Sequence, residues 1–356
     1  MEEVQTVNRS VKPTHMKSYH VQYGGGLEGI NVKQHSIPTA GKHEVLIRIH
    51  ANSLSYRDIN ILDGNYPLPI KPDVIAVSDG AGEVVAIGDS VTHTKPGDRV
   101  AVQMFPLWLD GPFAWEYAPQ IGGSLDGMLT EFAVVHEDAI VLIPDHLSYE
   151  EAATLPCAAL TAWNSLTGGK PLQAGQTVLT LGSGSVSLFA MQFAKLFGAR
   201  VIATTSSDAK AKRLKELGAD DVINYRENPE WHKLVRELTN GHGVDQVVEV
   251  AGSTIEQSIL SCAVGGQVNF IGRMGGESKP INLTTLFMTA AHVRPIAVGN
   301  RSQFIAMNKA IAVNKLHPVI DKVFHFDEAR EAFSYLLAGG YFGKIVISHS
   351  APHKVQ

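Results

Sequence analysis

The spacing of apolar residues changes near residue 157. Before that point, short apolar runs are separated by Gly, Pro and Asp, a pattern typical of β-strands joined by turns. The clearest of these runs are 45–49, 82–88, 98–102 and 132–135. Between about residues 175 and 299, apolar runs alternate with helix-like segments, which predicts a doubly wound parallel sheet with right-handed crossovers. Its six expected strands are 177–181, 200–204, 221–223, 244–250, 267–271 and 295–298.

The two ends of the chain complete this organisation. The first fifteen residues are polar and contain two acids, so they predict a disordered extension rather than a signal or transit peptide. The tail predicts a helix over 327–337 and a strand over 343–347 that returns to the first domain. We therefore expect an extension over 1–15, a β-rich domain over 16–157, an α/β domain over 158–299, and a return to the first domain over 300–356.

A glycine turn follows the first predicted strand of the α/β domain. The apolar run 178–181 leads into Gly182 and Gly184, and an amphipathic helix begins directly afterwards. This is the arrangement that seats a pyrophosphate on a helix N-terminus, although the third small residue is Ser187 rather than Gly. The sequence thus predicts a Rossmann-type dinucleotide site. Its phosphate-binding residues are expected to be Gly182, Ser183, Gly184, Ser185 and Val186.

The end of the second predicted strand bears on which dinucleotide is bound. Enzymes that use NAD usually place an acid there to bind the ribose 2′-hydroxyl. Here the strand end offers hydroxyls, and the cations Lys210 and Arg213 follow in the next helix. Hydroxyls and cations suit a 2′-phosphate and favour NADPH. Asp208 is an acid close to this strand end and argues against a 2′-phosphate there. Ser207 has an alternative role, in which it only caps the next helix. The expected 2′-phosphate residues are Thr205, Ser206, Ser207 and Lys210.

Composition narrows the class of protein. The 356 residues carry a formal net charge of −5 and are 44% hydrophobic, which is typical of a globular protein without a basic nucleic-acid surface. No apolar run reaches the length of a membrane span. The two cysteines, Cys157 and Cys262, provide no disulfide framework, so we expect a cytoplasmic protein.

Several further segments together resemble one family, the medium-chain dehydrogenases/reductases, and within it the zinc-independent branch of quinone oxidoreductases and enoyl reductases. The segments are 53–58, 78–88, 96–100, 155–163, 217–220 and 342–346, and they follow one another in family order. The resemblance implies an α/β fold in which a Rossmann-type domain is joined to a β-rich, GroES-like catalytic domain. It also implies a homodimer or homotetramer.

The resemblance also allows a prediction of whether the protein binds zinc. Zinc-dependent members hold the metal through a Cys, a Gly-His-Glu segment and a later Cys, and those positions resemble Ser55, Ser78–Asp79 and Cys157. Serine is a poor zinc ligand, and no cysteine precedes Cys157 to build a structural zinc lobe. We therefore expect no metal and interpret Cys157 as a small apolar residue.

A site without a Lewis acid suits acceptors that conjugation has already made electrophilic. By resemblance, Tyr66 in a Gly-Asn-Tyr-Pro turn is the expected catalytic hydrogen-bond donor, and its alternative role is packing in the turn. Ser55 and Tyr56 are further catalytic candidates. Arg57 and Asp58 are expected to form a structural ion pair. The aromatic segment 104–127 is expected to form an apolar lid or wall of the site, an oligomer surface, or a small satellite core.

The remaining cofactor contacts are also assigned by resemblance. Thr161 is expected to pack on the nicotinamide, and Tyr225 to lie near the adenine. Lys344 is expected to reach the phosphates, with a solvated lysine as the alternative. Residues at two strand ends are expected to contact the nicotinamide carboxamide, and they are Ile271, Arg273, Val298, Asn300 and Arg301.

The sequence therefore predicts a zinc-independent, NADPH-dependent reductase of a small apolar substrate, either an activated double bond or a quinone. A metal-free alcohol dehydrogenase or ketoreductase is one alternative. A non-catalytic NADPH-binding protein, as among the crystallins of this family, is the other.

Overall fold

The computed structural model describes residues 14–272 and 280–350. Its strands, in chain order, are β1 His15–Val21, β2 Ile30–Ser36, β3 Glu44–Leu54, β4 Val74–Ile75, β5 Asp79–Ile87, β6 Arg99–Val102, β7 Phe132–His136, β8 Ile140–Leu142, β9 Thr177–Leu181, β10 Arg200–Thr205, β11 Asp221–Asn224, β12 Val244–Glu249, β13 Cys262–Phe270, β14 His292–Pro295, β15 Ile320–His325 and β16 Lys344–Ser348. Most of the predicted extension over 1–15 lies outside the described residues, and β1 already includes His15.

The α-helices are α1 Tyr56–Leu62, α2 Tyr149–Ala152, α3 Leu160–Thr167, α4 Ser185–Leu196, α5 Asp208–Glu216, α6 Trp231–Leu238, α7 Ile255–Ser261, α8 Leu283–Thr289, α9 Arg301–Asn314 and α10 Ala329–Ala338. Short 3₁₀ turns occupy Leu27–Gly29, Trp115–Tyr117, Glu137–Ala139 and Phe326–Glu328, and a π-helical turn occupies Leu155–Ala159. Within the described ranges, no helix is both long and apolar enough to cross a bilayer.

The predicted doubly wound sheet is present. Six strands run in the order β11-β10-β9-β12-β13-β14, and all neighbouring pairs are parallel. The order reverses between β9 and β12, so a crevice opens at the carboxyl ends of these two strands, where open α/β sheets bind their ligands. The sixth strand is His292–Pro295 rather than 295–298, because the chain leaves the sheet and Val298 takes a positive φ of 48°.

The first domain is built on antiparallel pairing. A seven-stranded sheet has the order β15-β16-β3-β5-β6-β8, with β7 also paired to β3, and a smaller sheet has the order β2-β1-β4. Alternate residues of β3, including Val45, Ile47 and Ile49, are buried in the core that this sheet encloses. Such alternation is what one buried sheet face requires.

The tail returns to the first domain, as the sequence predicted. All five residues of β16 are buried, and β16 pairs with β3 on one side and with β15 on the other. Strands β15 and β16 of the tail thus extend the first domain's sheet beyond β3, and they bring residues of the tail to the boundary between the domains.

Aromatic packing fixes the direction of helix α4, which follows the glycine turn. Phe193 of α4 is fully buried, and its ring meets Trp163 of α3 edge to face at 5.3 Å. Burial of one such side chain stabilises the fold by roughly 1.5–3 kcal/mol. The N-terminus of α4 is therefore held against the carboxyl end of β9.

Candidate active site

Two adjoining cavities lie between the domains. The inner cavity, of about 470 Å³, is lined by Ser55, Tyr66, Cys157 and Thr161 among others. The outer cleft, of about 620 Å³, runs from the glycine turn along the end of β10. Tyr56, Gly184 and Tyr341 line both spaces, so a single elongated ligand can extend from one into the other.

The glycine turn has the conformation that phosphate binding needs. Gly182 has a positive φ of 76°, and its N–H donates to the carbonyl of Thr204 at 3.0 Å. Ser187, which stands in place of the third glycine, donates its hydroxyl to the carbonyl of Leu181 at 2.6 Å. That hydrogen bond explains how a serine closes the helix onto the strand where a glycine is usual.

Open space faces this turn. A Cβ added to Gly182 or Gly184 would meet no atom within 4 Å. Gly184 is the N-cap of α4, so the free N–H groups of the first helical turn point toward that space. The tail supports the turn from the other side, where the N–H of Gly343 donates to the carbonyl of Ser183 at 3.1 Å. The residues present therefore fit a dinucleotide pyrophosphate.

The end of β10 lines the outer cleft as predicted. Thr205, Ser206 and Lys210 contribute to its wall. The Oγ1 of Thr205 is buried and has no hydrogen-bond partner among the described residues. Ser207 does not line the cleft, because its hydroxyl caps α5 by accepting from the N–H of Lys210 at 3.4 Å. The structure therefore favours the helix-capping alternative for Ser207.

Acidic residues are absent from the described part of the outer cleft's lining. Lys210 is its one cation within that part. Asp208 points elsewhere and accepts a hydrogen bond from Asn224 at 3.1 Å. This wall therefore presents hydroxyls and an ammonium, with no carboxylate to repel a phosphate.

Tyr66 lies in the wall of the inner cavity with a buried guanidinium behind it. The Nε of Arg57 approaches the Tyr66 hydroxyl oxygen at 3.4 Å, and the guanidinium carbon lies 4.9 Å from the ring centroid. Arg57 also donates to Gln120 at 2.9 Å and pairs with Asp58 at 3.3 Å. The predicted Arg57–Asp58 ion pair is confirmed, and it also fixes Arg57 against Tyr66.

Asp58 is buried at the start of α1. Its carboxylate accepts from the N–H of Ser55 at 2.8 Å. Burial raises the pKa of Asp58 to about 6, against the opposing effect of Arg57. As the pH falls through about 6, protonation of Asp58 would therefore weaken its attraction for Arg57.

Lys344 does not lie where the sequence analysis expected it, beside the cofactor phosphates. Its side chain is 1% exposed and does not line the phosphate cleft. The ammonium instead donates to the carbonyl of Leu54 at 2.9 Å, to Ser55 Oγ at 3.0 Å and to Asp79 at 3.2 Å. The assignment to the phosphates was wrong because the buried strand β16 turns Lys344 into the first domain.

The residues at the zinc-like positions do not fit a metal ion. Two of these positions, Ser55 and Asp79, are hydrogen-bonded to the ammonium of Lys344, whose positive charge would repel a dication. Burial, with a further contribution from Asp79, raises the pKa of the Cys157 thiol to about 12, so the thiol stays protonated at neutral pH. No group of three or more His, Cys, Asp and Glu lies together in the ranges 14–272 and 280–350.

The nicotinamide contacts expected from the sequence separate into two groups. Thr161, Ile271 and Val298 line the inner cavity, and Tyr225 lines the outer cleft. Asn300 instead caps α9. Arg301 lines a different cavity beside Glu137 and Asn308, so the predicted carboxamide contact was wrong. Both corrections arise because α9 begins directly after Asn300. Arg273 lies outside the described residues.

Some lining residues were not identified from the sequence. Tyr341 joins the two cavities because the tail folds back over the glycine turn, a long-range contact that no local pattern signals. Part of the aromatic segment 104–127 has two of the roles considered for it, as a wall of the cavity and as a small aromatic core. Phe105, Phe113 and Trp115 line the inner cavity, while Phe105, Phe113 and Trp108 pack edge to face on one another.

Family models match both domains. Residues 41–145 match the alcohol dehydrogenase GroES-like domain, and residues 185–312 match the zinc-binding dehydrogenase domain. The chain belongs to the medium-chain dehydrogenase/reductase superfamily and is an oxidoreductase of that class.

Individual relatives cover nearly the whole chain. A zinc-type alcohol dehydrogenase-like protein of Schizosaccharomyces pombe is 41% identical over 90% of this chain and 96% of its own length. The 2-methylene-furan-3-one reductase of Solanum lycopersicum is 31% identical over 96% of this chain and 80% of its own length. The crystal structure of a putative alcohol dehydrogenase from Sinorhizobium meliloti has a TM-score of 0.88 and 36% identity, and the match covers 95% of this chain and 100% of that one.

The open space at Gly184 yields a test of the dinucleotide site. Gly184 has an ordinary φ of −75°, so Gly184→Ala is expected to fold with a free energy of unfolding within about 0.5 kcal/mol of the parent. The added methyl group would occupy the space for the pyrophosphate. We expect a dinucleotide Kd at least about tenfold higher by titration calorimetry, which is about 1.4 kcal/mol. Unchanged affinity in a folded variant would place the pyrophosphate elsewhere.

Proposed function

We propose that the protein is a zinc-independent, NADPH-dependent reductase of small apolar molecules that contain a carbon–carbon double bond conjugated to a carbonyl group. The observation that carries this proposal is the inner cavity, in which a hydroxyl backed by a buried guanidinium, Tyr66 on Arg57, faces a largely apolar space beside an open glycine turn. Apolar walls with a few placed polar groups are typical of small-molecule sites. Quinones fit the same chemistry.

Aromatic side chains account for the expected substrate class. Phe105, Phe113 and Trp115 give the inner cavity a broad apolar wall, and its polar groups include Ser55 and Tyr66 of the same domain. Trp115 is 76% exposed, which places it at the mouth of the cavity. An apolar acceptor with one polar oxygen would bury its hydrocarbon against this wall.

The chemistry follows from these positions. When bound at the glycine turn, NADPH would supply a hydride, and with it two electrons, to the β-carbon of the conjugated acceptor. The π electrons then move to the carbonyl oxygen, where Tyr66 donates a hydrogen bond to the developing negative charge. The guanidinium of Arg57 stabilises the charge left on Tyr66 when its proton moves to the substrate. Solvent restores that proton after the saturated product leaves.

The preference for NADPH is supported by charge at the end of β10. Lys210 lines the outer cleft, and no acidic residue does so within the described ranges. Burial lowers the pKa of Lys210, Asp321 opposes this decrease, and Arg213 adds to it. A 2′-phosphate would compensate the ammonium in a way that a 2′-hydroxyl does not.

A second candidate is a metal-free alcohol dehydrogenase or ketoreductase. It is favoured by the names of the similar proteins from S. pombe and S. meliloti, which refer to alcohol dehydrogenases. Reduction of saturated ketones would support this candidate, and tight NADPH binding without turnover of any acceptor would support a non-catalytic binding protein.

We also propose that the protein is a cytoplasmic homodimer or homotetramer that binds neither nucleic acid nor membrane.

Replacement of Lys210 tests the choice of cofactor. In Lys210→Met the cation beside the 2′-phosphate is lost, so we expect the Kd for NADPH to rise about tenfold or more while the Kd for NADH stays nearly constant. Fluorescence titration with each cofactor measures both values. Lys212→Met is the matched control, because Lys212 is exposed and does not line the cleft. Equal losses for NADPH and NADH would refute the assignment.

Replacement of Tyr66 tests the chemistry. Loss of a proton donor typically costs 10²- to 10⁴-fold, so in Tyr66→Phe we expect kcat for a conjugated enone to fall about 10²-fold with NADPH affinity unchanged. Tyr23→Phe is the matched control. Its hydroxyl supports the same turn by donating to Gly64 at 2.7 Å but does not line the inner cavity. Full activity of Tyr66→Phe would remove Tyr66 from the mechanism.

A further inference from the structure

The buried ammonium of Lys344 has three acceptors and uses all three of its hydrogens on them. They are the carbonyl of Leu54, the hydroxyl of Ser55 and the carboxylate of Asp79. Asp79 is itself fully buried and accepts further hydrogen bonds from Ser53 and Ser78, each at 3.0 Å. The group is therefore a fully satisfied charge pair, which the low-dielectric interior requires.

Ser55 differs from the other members of this group because it also reaches the inner cavity. Ser55 lines the cavity, whereas Lys344, Asp79 and Ser78 do not. Its oxygen accepts from the Lys344 ammonium, so its own hydrogen must point in another direction. Within the described ranges this hydroxyl donates to no protein acceptor. The Ser55 hydroxyl is therefore free to donate a hydrogen bond to a ligand in the cavity.

The Lys344 ammonium makes the Ser55 hydroxyl a stronger hydrogen-bond donor. A hydroxyl that accepts from a cation is polarised and becomes a stronger donor, because hydrogen bonds in a chain reinforce one another. The arrangement repeats that of Tyr66, whose oxygen lies beside the Arg57 guanidinium. Two hydroxyls in the wall of one cavity are therefore each backed by a buried cation.

We propose that Ser55 is a catalytic hydrogen-bond donor to the carbonyl oxygen of the substrate and that Lys344 is its positioning residue. The Ser55 hydroxyl then stabilises the negative charge on the substrate oxygen that a metal ion stabilises in zinc-dependent members of the family. Ser55 stabilises the enolate oxygen without giving up its proton, and proton transfer to the substrate stays with Tyr66. This inference rests on the proposed function, and it restricts the substrate to acceptors with a carbonyl oxygen.

The vibrational frequency of a bound carbonyl tests the donor without turnover. We would bind a conjugated enone together with NADP⁺ and record the C=O stretch by infrared difference spectroscopy. We expect a frequency below that of the free enone in the parent protein and in Ser55→Thr, which keeps the hydroxyl. In Ser55→Ala the frequency should return toward the free value. An identical frequency in the parent and in Ser55→Ala would overturn the proposal.

Steady-state kinetics provide the second readout. Loss of one oxyanion donor typically lowers kcat by 10²- to 10³-fold, so we expect about 10²-fold for Ser55→Ala with little change in KM, and recovery in Ser55→Thr. Ser78→Ala is the matched control, because it removes a hydrogen bond to Asp79 without reaching the cavity. If the parent reduces enones and Ser55→Ala does so equally well, the inference fails while the proposed function stands. If the parent reduces no conjugated acceptor, the proposed function fails.

A double variant tests the role of the charge itself. Removal of Lys344 alone would leave Asp79 buried and unpaired, whereas Lys344→Gln with Asp79→Asn replaces the ion pair by two neutral amides. We expect this double variant to fold and to show a carbonyl frequency between those of the parent and Ser55→Ala, because Ser55 still donates but is no longer polarised. The parent frequency in the double variant would show that Lys344 does not act through Ser55.

Discussion

The ion pair between Lys344 and Asp79 joins three distant parts of the chain at the inner end of the inner cavity. Lys344 begins β16, Asp79 begins β5, and Ser55 follows β3. Both charged groups are almost fully buried, so the pair is tolerated only because each partner is completely hydrogen-bonded. Removal of one partner from such a pair typically costs about 3–5 kcal/mol. The register of the tail strand and the shape of the site therefore depend on the same contact.

Charge is distributed around the inner cavity in a way that suits reduction of a carbonyl-conjugated acceptor. Arg57 and Lys344 are both buried, and each contacts a hydroxyl that lines the cavity. The cavity can therefore remain largely apolar while it stabilises negative charge on one substrate oxygen. Asp58, whose pKa burial raises to about 6, holds the start of α1 and pairs with Arg57. The outer cleft has the complementary role, with hydroxyls and Lys210 facing the expected phosphate.

Local sequence patterns predicted the fold and the glycine turn, because those features depend on short segments. The strand–glycine–helix unit at 178–196 and five of the six sheet strands lie where the apolar spacing placed them. Lys344 and Arg301 were misassigned, because their side-chain directions depend on how the tail strand and α9 pack against distant elements. The same reason hid the Ser55–Lys344 contact, which joins residues 289 positions apart.

The most direct test of the account is the rate of NADPH oxidation by metal-stripped protein. The protein would be dialysed against a strong chelator, its zinc content measured, and conjugated enones and enals compared with saturated ketones. The account predicts an undiminished rate with the conjugated acceptors, no gain on added zinc, and little reduction of the ketones, because buried cations supply the charge. A rate that is lost on chelation and recovers only with zinc would contradict it.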